Sequence, residues 1–444
     1  MALLALCAGL VLAVRFGASA PASTRAPHRT PWNFLIVVVD TLRYDVTSMA
    51  GASNTPFMKS VAARGVSFSR AFSPHDNTPQ SHFSVFTGLR EGGGTIIDQT
   101  DVSVAYQLRG HGYDTFGIAA NGNLSQRFMP SLSGFTRYSS LYDEWQRMTP
   151  QDRATHLQTI NARLRQYGAR ENEWNQAQMF CSGAAVLERF RNMLSSASEP
   201  FLGFVNIIEP HDPYLPSVAS LGNQPAWARQ IDADLRFRVL GYPLANPERY
   251  PDPGGRAHIR QRFQQAGGRM WSLSDDLSPQ ELAAYKIRYE ASARDADQVV
   301  RAIFVELERA RVLDRTWVVI LSDHGESFGE DGFVTHTLSD KGDAEASFHV
   351  PMIWAPPQGG SGATIDEDVS LTAVTPTIYD LAGIDWTALK TRHGEFGRSL
   401  LPYLARDVGR RIGTAVMGES IGPEERDRMR EDALERLRAL GYVQ

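Results

Sequence analysis

Several short polar clusters in this sequence carry residue types suited to metal-assisted ester chemistry. Asp40 directly follows the apolar run Phe34-Leu-Ile-Val-Val-Val39. Ser322-Asp323-His324-Gly325-Glu326 directly follows a second apolar run, Trp317 to Leu321. Two carboxylates and an imidazole are ligands that a divalent cation accepts. A lone Asp after a strand more often caps a helix or forms a turn, but adjacent Asp323 and His324 strengthen the metal reading. Thr78-Pro79-Gln80-Ser81-His82-Phe83-Ser84 is the next cluster. Pro79 suits the first helical position, so Thr78 reads as a helix N-cap. The same place suits a nucleophile, because free N–H groups and the helix dipole favour an anion there. A bound cation would bias the Thr78 hydroxyl toward its alkoxide. Glu209-Pro-His211-Asp-Pro-Tyr214 and Asn121-Gly-Asn123 complete the set. His211, at the end of an apolar run, reads as a polar group brought to the same sheet edge, or as a loop histidine packed on Tyr214.

The elements that must position these residues are strands alternating with helices. Phe34 to Val39 is β-branched and apolar throughout, which predicts a strand buried on both faces and hence parallel. Further strands are predicted at Thr115–Ala120, Phe201–Ile208, Trp317–Leu321 and Val350–Trp354. Helices are predicted over Thr55–Gly65, Val102–Gly110, Tyr285–Ala310 and, as one long polar stretch, from about Pro150 to Leu194. The pattern implies an α/β fold with a mainly parallel central sheet flanked by helices. In open α/β sheets ligands bind outside the carboxyl ends of the strands. Four of the polar clusters fall there. Asn246 to Gly268, rich in Pro, Gly and Arg, reads as a surface loop. Pro423 to Leu440 reads as a charged terminal helix, with Gly441 as its stop.

Composition narrows the class. The chain has 444 residues, 42% hydrophobic and 21% charged, which is ordinary globular usage. Lys and Arg number 45 against 50 Asp and Glu, a net charge of −5. That balance disfavours a nucleic-acid partner. The two cysteines, Cys7 and Cys181, make neither a disulfide framework nor a thiolate cluster. Ala2 to Val14 is an apolar run closed by Arg15. At about 1.5 Å per residue it falls short of the ~30 Å membrane core. With Ala18-Ser19-Ala20 behind it, the run reads as a signal peptide, or as a membrane tether through the N-terminus. Either implies an exported protein, periplasmic or extracellular, or one anchored facing outside.

Taken in order, these motifs resemble the sulfatases, within the alkaline-phosphatase-like superfamily. The resemblance spans about Asn33 to Asp385. It rests on Asn33 through Asp40-Thr-Leu-Arg43, Thr78-Pro-Gln-Ser-His82 through Thr87-Gly88, Gly112-Tyr113-Asp-Thr115, His211-Asp-Pro-Tyr214, Ser322-Asp-His-Gly-Glu326, His349-Val-Pro351, Thr375-Pro-Thr377 and Leu437-Arg-Ala-Leu-Gly-Tyr442. It implies that Asp40, Asp323 and His324 are metal ligands. Thr78 falls where sulfatases carry the Cys or Ser that becomes formylglycine. His336 and Lys341 fall where the family places a histidine and a lysine facing the sulfate and the leaving group. The sequence also departs from the pattern. Threonine is not a formylglycine precursor, His82 and Gln80 replace an arginine and a proline, and Thr41 stands where many sulfatases have a second metal-binding Asp. Asn121 lies near the expected catalytic lysine. A threonine nucleophile with one metal also resembles phosphoethanolamine transferases and lipoteichoic acid synthases.

The expectation is therefore a sulfatase-like hydrolase of sulfate esters. Thr78, His211, His336 and Lys341 would be catalytic, and His82 and Asn121 would bind substrate. Asp40, Thr78, Asp323 and His324 would hold one divalent ion, calcium first, with magnesium, manganese or zinc as alternatives. The substrate would be a small-molecule, glycan or lipid ester. Residues 1–30 would be leader or anchor, 31–385 the catalytic domain, and 386–444 a small C-terminal extension. Phosphodiester or phosphonate hydrolysis, phosphoryl transfer, and an inactive binding module are the rival readings.

Overall fold

Strand β1, Asn33–Val39, is buried along its whole length because helices cover both faces of the sheet it centres. Its side chains alternate between two cores. Leu35, Val37 and Val39 enter one; Phe34, Ile36 and Val38 enter the other. That double burial is why the strand reads as continuous hydrophobic sequence rather than as an alternating one. The structure, a computed structural model, describes residues 31–90, 100–230, 277–330, 334–336, 344–357, 359–360 and 362–408. The N-terminal run, the Asn246–Gly268 loop, Lys341 and the Pro423–Leu440 helix lie outside them. Among the described residues no helix is long and apolar enough to cross a membrane.

The other strands are β2 Val66–Phe72, β3 Asp114–Ala119, β4 Arg137–Ser140, β5 Phe201–Ile207, β6 Thr316–Leu321, β7 Ser327–Phe328, β8 Val334–Thr335, β9 His349–Ala355 and β10 Ala363–Ser370. Eight of them form one sheet in the order β10-β2-β9-β6-β1-β5-β3-β4, and β7 and β8 pair separately. Only β9 runs against its neighbours β2 and β6; the remaining pairings in the large sheet are parallel. The expected mainly parallel α/β sheet is present. Helices Pro56–Ala62, Gly183–Ser195 and Pro279–Arg309 cover one face. Helices Thr78–Thr87, Val104–Gly110 and Val374–Ala382 cover the other.

Three strands of the large sheet, β2, β4 and β10, escaped the sequence reading because they are polar and short of β-branched runs, as did the two-residue strands β7 and β8. β10 carries Asp366, Glu367 and Asp368 along the sheet edge, where charge discourages pairing with another chain. Arg70 of β2 bonds Asp368 and holds it to the sheet. The single long helix expected from Pro150 to Leu194 is three: Pro150–Gln166, Glu173–Phe180 and Gly183–Ser195. Gly168 at φ +67° ends the first turn of chain after it, and the Asn172 side chain caps the second helix. The helix expected from Tyr285 begins earlier, at Pro279. A capping box between Ser278 and Glu281 starts it, and that polar first turn hid its beginning.

Candidate metal and ester site

The sheet order places β6, β1, β5 and β3 side by side. Their carboxyl ends deliver Asp323 and His324, then Asp40, then His211, then Asn121. Asp40 extends the β1–β5 ladder, donating its N–H to Ile207 O at 2.9 Å. The loop after β1 is tied to the loop after β6. Thr41 N–H donates to Asp323 Oδ1 at 3.1 Å, and Leu42 N–H to Ser322 Oγ at 2.7 Å. Thr41 adopts φ 57°, an outlier for a β-branched residue that costs about 1–3 kcal/mol. The Tyr289 hydroxyl, donating to Thr41 O at 2.7 Å, helps hold it there.

Among the described residues, Asp40, Asp323 and His324 form a buried group whose ligand atoms lie within 4.8 Å of one another. Asp40 Oδ2 accepts from Asn121 Nδ2 at 2.9 Å and Asn206 Nδ2 at 3.1 Å. Asp323 Oδ1 accepts from Thr41 and His324 N–H groups. The other oxygens, Asp40 Oδ1 and Asp323 Oδ2, are buried with no hydrogen-bond partner. Buried carboxylate oxygens without partners are costly, and a cation held by the group would offset that cost. His324 Nδ1–H donates to Gly325 O at 2.9 Å, which leaves Nε2 with its lone pair toward the group, the usual tautomer of a metal-ligating histidine. The residues present therefore fit a divalent ion. Burial and the Asp323 charge push the Asp40 carboxyl above its ordinary range. Burial opposes ionisation of Asp323 too, but His324, His82 and two N–H donors outweigh it and hold Asp323 low.

Thr78 joins this group from helix Thr78–Thr87. The N-cap is Asn77, not Thr78: the Asn77 side chain accepts from Gln80 N–H at 3.2 Å. The capping reading of Thr78 is thus corrected. Relieved of that task, the buried Thr78 Oγ1 lies 3.3 Å from His324 Nε2 and accepts from Asn121 Nδ2 at 3.2 Å. His82, expected to bind substrate, is wholly buried. Its Nδ1–H donates to Thr78 O at 2.9 Å and lies 3.5 Å from Asp323 Oδ2. The ring sits edge-on to Phe204 of β5.

His211 and His336 border the site. Their ring centroids are 5.1 Å apart, and His336 is 4.6 Å from His324. His211 is nearly enclosed, with Nδ1 3.0 Å from Asp212 Oδ1. Burial disfavours its charge, yet Asp212, Asp40 and Glu326 outweigh burial and raise it to about 10. Burial likewise pushes the Glu326 carboxyl up to about 8. These values imply a stability test on chelator-treated protein. His211 binds its proton more tightly folded than unfolded, so its stabilisation is full below about 6.5 and is lost as pH rises through about 10. Urea unfolding of the wild type should weaken across that window. His211→Gln should flatten the decline, and parallel profiles would contradict the assignment.

The residues that sequence reading missed are Asn206 and Tyr289; Ser322 was seen only as part of its cluster, without its bond to Leu42. Asn206 sits in the apolar strand Phe201–Ile207 and joins two strand ends: its Oδ1 accepts from Asn121 N–H at 2.9 Å while its Nδ2 donates to Asp40. A lone Asn in such a run was the available signal. Gly325 has a steric role, because a Cβ there would collide with the Ala346 carbonyl.

A sulfatase profile matches residues 32–384. The chain belongs to the sulfatase family. This sulfatase-family chain is 24% identical to a sulfatase of Formosa agariphila over 410 residues, covering 79% of this chain and 69% of that one. It is 23% identical to arylsulfatase K of Homo sapiens over 397 residues, covering 84% and 66%. The aligned part thus spans about two-thirds of those relatives' length. Among solved structures, a phosphonate monoester hydrolase of Silicibacter pomeroyi superposes with TM-score 0.56 at 20% identity, covering 88% of this chain and 78% of that one. At that identity the likeness is one of fold.

Proposed function

We propose that this chain hydrolyses sulfate esters, with Thr78 as nucleophile and one divalent ion held by Asp40, Asp323, His324 and Thr78 Oγ1. The observation that carries this reading is Thr78 Oγ1 itself. It lies within 3.3 Å of His324 Nε2, beside two carboxylates that each keep a buried, unpartnered oxygen. A divalent ion there supplies a Lewis acid that polarises ester oxygens and lowers the cost of removing the Thr78 proton. The oxygen-rich donor set favours calcium, with magnesium, manganese and zinc as alternatives.

In this reading Asn121 Nδ2, donating to Oγ1 at 3.2 Å, fixes where the hydroxyl stands. Oγ1 loses its proton to water and attacks sulfur, the O–S bond to the leaving oxygen breaks, and His336 or His211 gives that oxygen a proton. Water then attacks the sulfated threonine and restores Oγ1. Lys341 would face the sulfate. Threonine has no geminal hydroxyl to expel the group, so the ester must be hydrolysed at its own centre. That feature favours a second reading, hydrolysis of phosphodiesters or phosphonate monoesters, or phosphoryl transfer, on the same residues. The substrate would be a small-molecule, glycan or lipid ester. Residues 31–385 would be the catalytic part and 386–444 an extension. Residues 1–30 would direct export or tether the protein outside.

The test is a turnover screen of the full chain. Aryl sulfates, phosphate monoesters, phosphate diesters and phosphonate monoesters would each be paired with calcium, magnesium, manganese and zinc. Divalent-dependent release from an aryl sulfate is the expected outcome. Faster release from a phosphorus ester favours the second reading. No release from any pair would overturn both.

A further inference from the structure

Glu326 lies two residues beyond His324 and carries none of the roles assigned above. It is wholly buried, and its Oε1 stands 3.1 Å from His336 Nδ1. The backbone of Glu326 is fixed from both ends. Its N–H donates to Ala346 O at 3.1 Å, and its carbonyl accepts from Arg43 Nη1 at 3.0 Å. Arg43 is itself clamped by Asp45 at 2.7 Å and Glu330 at 2.6 Å. This gives Arg43, three residues after Asp40, a purpose: it braces the segment that follows the metal-ligand pair. The His336 ring is half-buried against His324 and His211, and the torsion that decides which ring nitrogen meets Glu326 is broad for histidine.

We propose that Glu326 is a positioning residue. It holds the His336 imidazole with Nδ1 turned into the protein, so that Nε2 is the atom that passes a proton to the leaving oxygen. This rests on His336 being the proton donor in the function proposed above. In that step the bond between sulfur and the leaving oxygen breaks and its electron pair stays on oxygen. The proton moves from Nε2 to that oxygen. An acid misplaced by rotation loses much of its effect, since proton transfer needs hydrogen-bond reach.

The experiment compares Glu326→Ala and Glu326→Gln in the full, ion-loaded chain. The substrates are aryl sulfates whose phenols range from nitrated to unactivated. Glu326→Ala should lower kcat about 100-fold or more for unactivated phenols, and only a few-fold for nitrophenols, which need no proton. KM and calorimetric affinity for the ion should hold. Glu326→Gln keeps an acceptor oxygen at the same place and should recover at least a tenth of the wild-type kcat. An equal loss across the phenol series would overturn the proposal. So would Glu326→Ala at wild-type rate on the poorest leaving group. A second measurement is independent of turnover. Nitrogen-15 NMR of labelled histidine, read at a pH where the ring is neutral and Nε2 has given up its proton, should show His336 protonated at Nδ1 in the wild type and Glu326→Gln, and a mixture of nitrogens in Glu326→Ala. The same signal in all three would sink the inference. If the wild type hydrolyses no ester while the Nδ1 proton stays fixed by Glu326, the function fails and the positioning stands.

Discussion

Thr78→Ala is expected to remove nearly all turnover while leaving a folded protein that still binds its divalent ion. A loss of about a thousandfold or more, roughly 4 kcal/mol in the barrier, is the scale set by losing a covalent step. The fold should survive because Asn77, not Thr78, accepts the Gln80 N–H that starts the helix. The ion should still bind because Asp40, Asp323 and His324 remain as a group within 4.8 Å. Thr78→Ser keeps a hydroxyl beside His324 and should keep part of the activity. The wild type should also trap a sulfuryl or phosphoryl group on Thr78, seen as a mass shift on the Ala71–Arg90 peptide. Kinetics beside thermal unfolding check this. A folded Thr78→Ala protein with more than about a tenth of the wild-type rate, a loss under roughly 1.4 kcal/mol, would end the nucleophile reading.

Asp323→Asn should be comparably severe, for a different reason. Asp40 and Asp323 each keep a buried carboxylate oxygen with no hydrogen-bond partner, and a cation held by this group would offset that cost. Ion at a hundredfold above Kd would stabilise the fold by about 2.7 kcal/mol, and a chelator would remove that gain. The variant should lose the chelator effect, most of its ion affinity, and about three orders of magnitude in rate, roughly 4 kcal/mol. Without any ion it should be no more stable than the wild type, because His324, His82 and two N–H donors favour the ionised Asp323 in the fold and that gain is lost. Asp40, pushed up by burial first and by the Asp323 charge second, should fall part of the way toward its ordinary range. Calorimetry with each divalent ion and unfolding with and without chelator measure both parts. A variant that kept the wild-type ion-dependent stabilisation would show that the ion sits elsewhere.

The sequence by itself determined the centre of this protein. β1, β5 and β6 are buried on both faces, so burial forces long β-branched and aromatic runs that are visible without any structure. The chain leaves each such strand on polar residues, and strand polarity puts those residues at one edge of a parallel sheet. Asp40, Asp323, His324, Asn121 and His211 were therefore legible as a set, and Thr78 as a hydroxyl at a helix start. Tertiary structure decided what local pattern does not encode. Thr41 and Asp323 are 282 residues apart in sequence yet share a hydrogen bond, and only sheet order creates that contact. Which residue caps helix Thr78–Thr87 depended on backbone angles at Asn77, since Asn and Thr are both good caps. Polar strands β2, β4 and β10 exist because neighbours pair with them, not because of their own preference. The roles of Asn206, Arg43 and Glu326 likewise arise from what packs against them. A buried polar side chain is defined by the partner that satisfies it, and in this fold those partners come from other strands and loops.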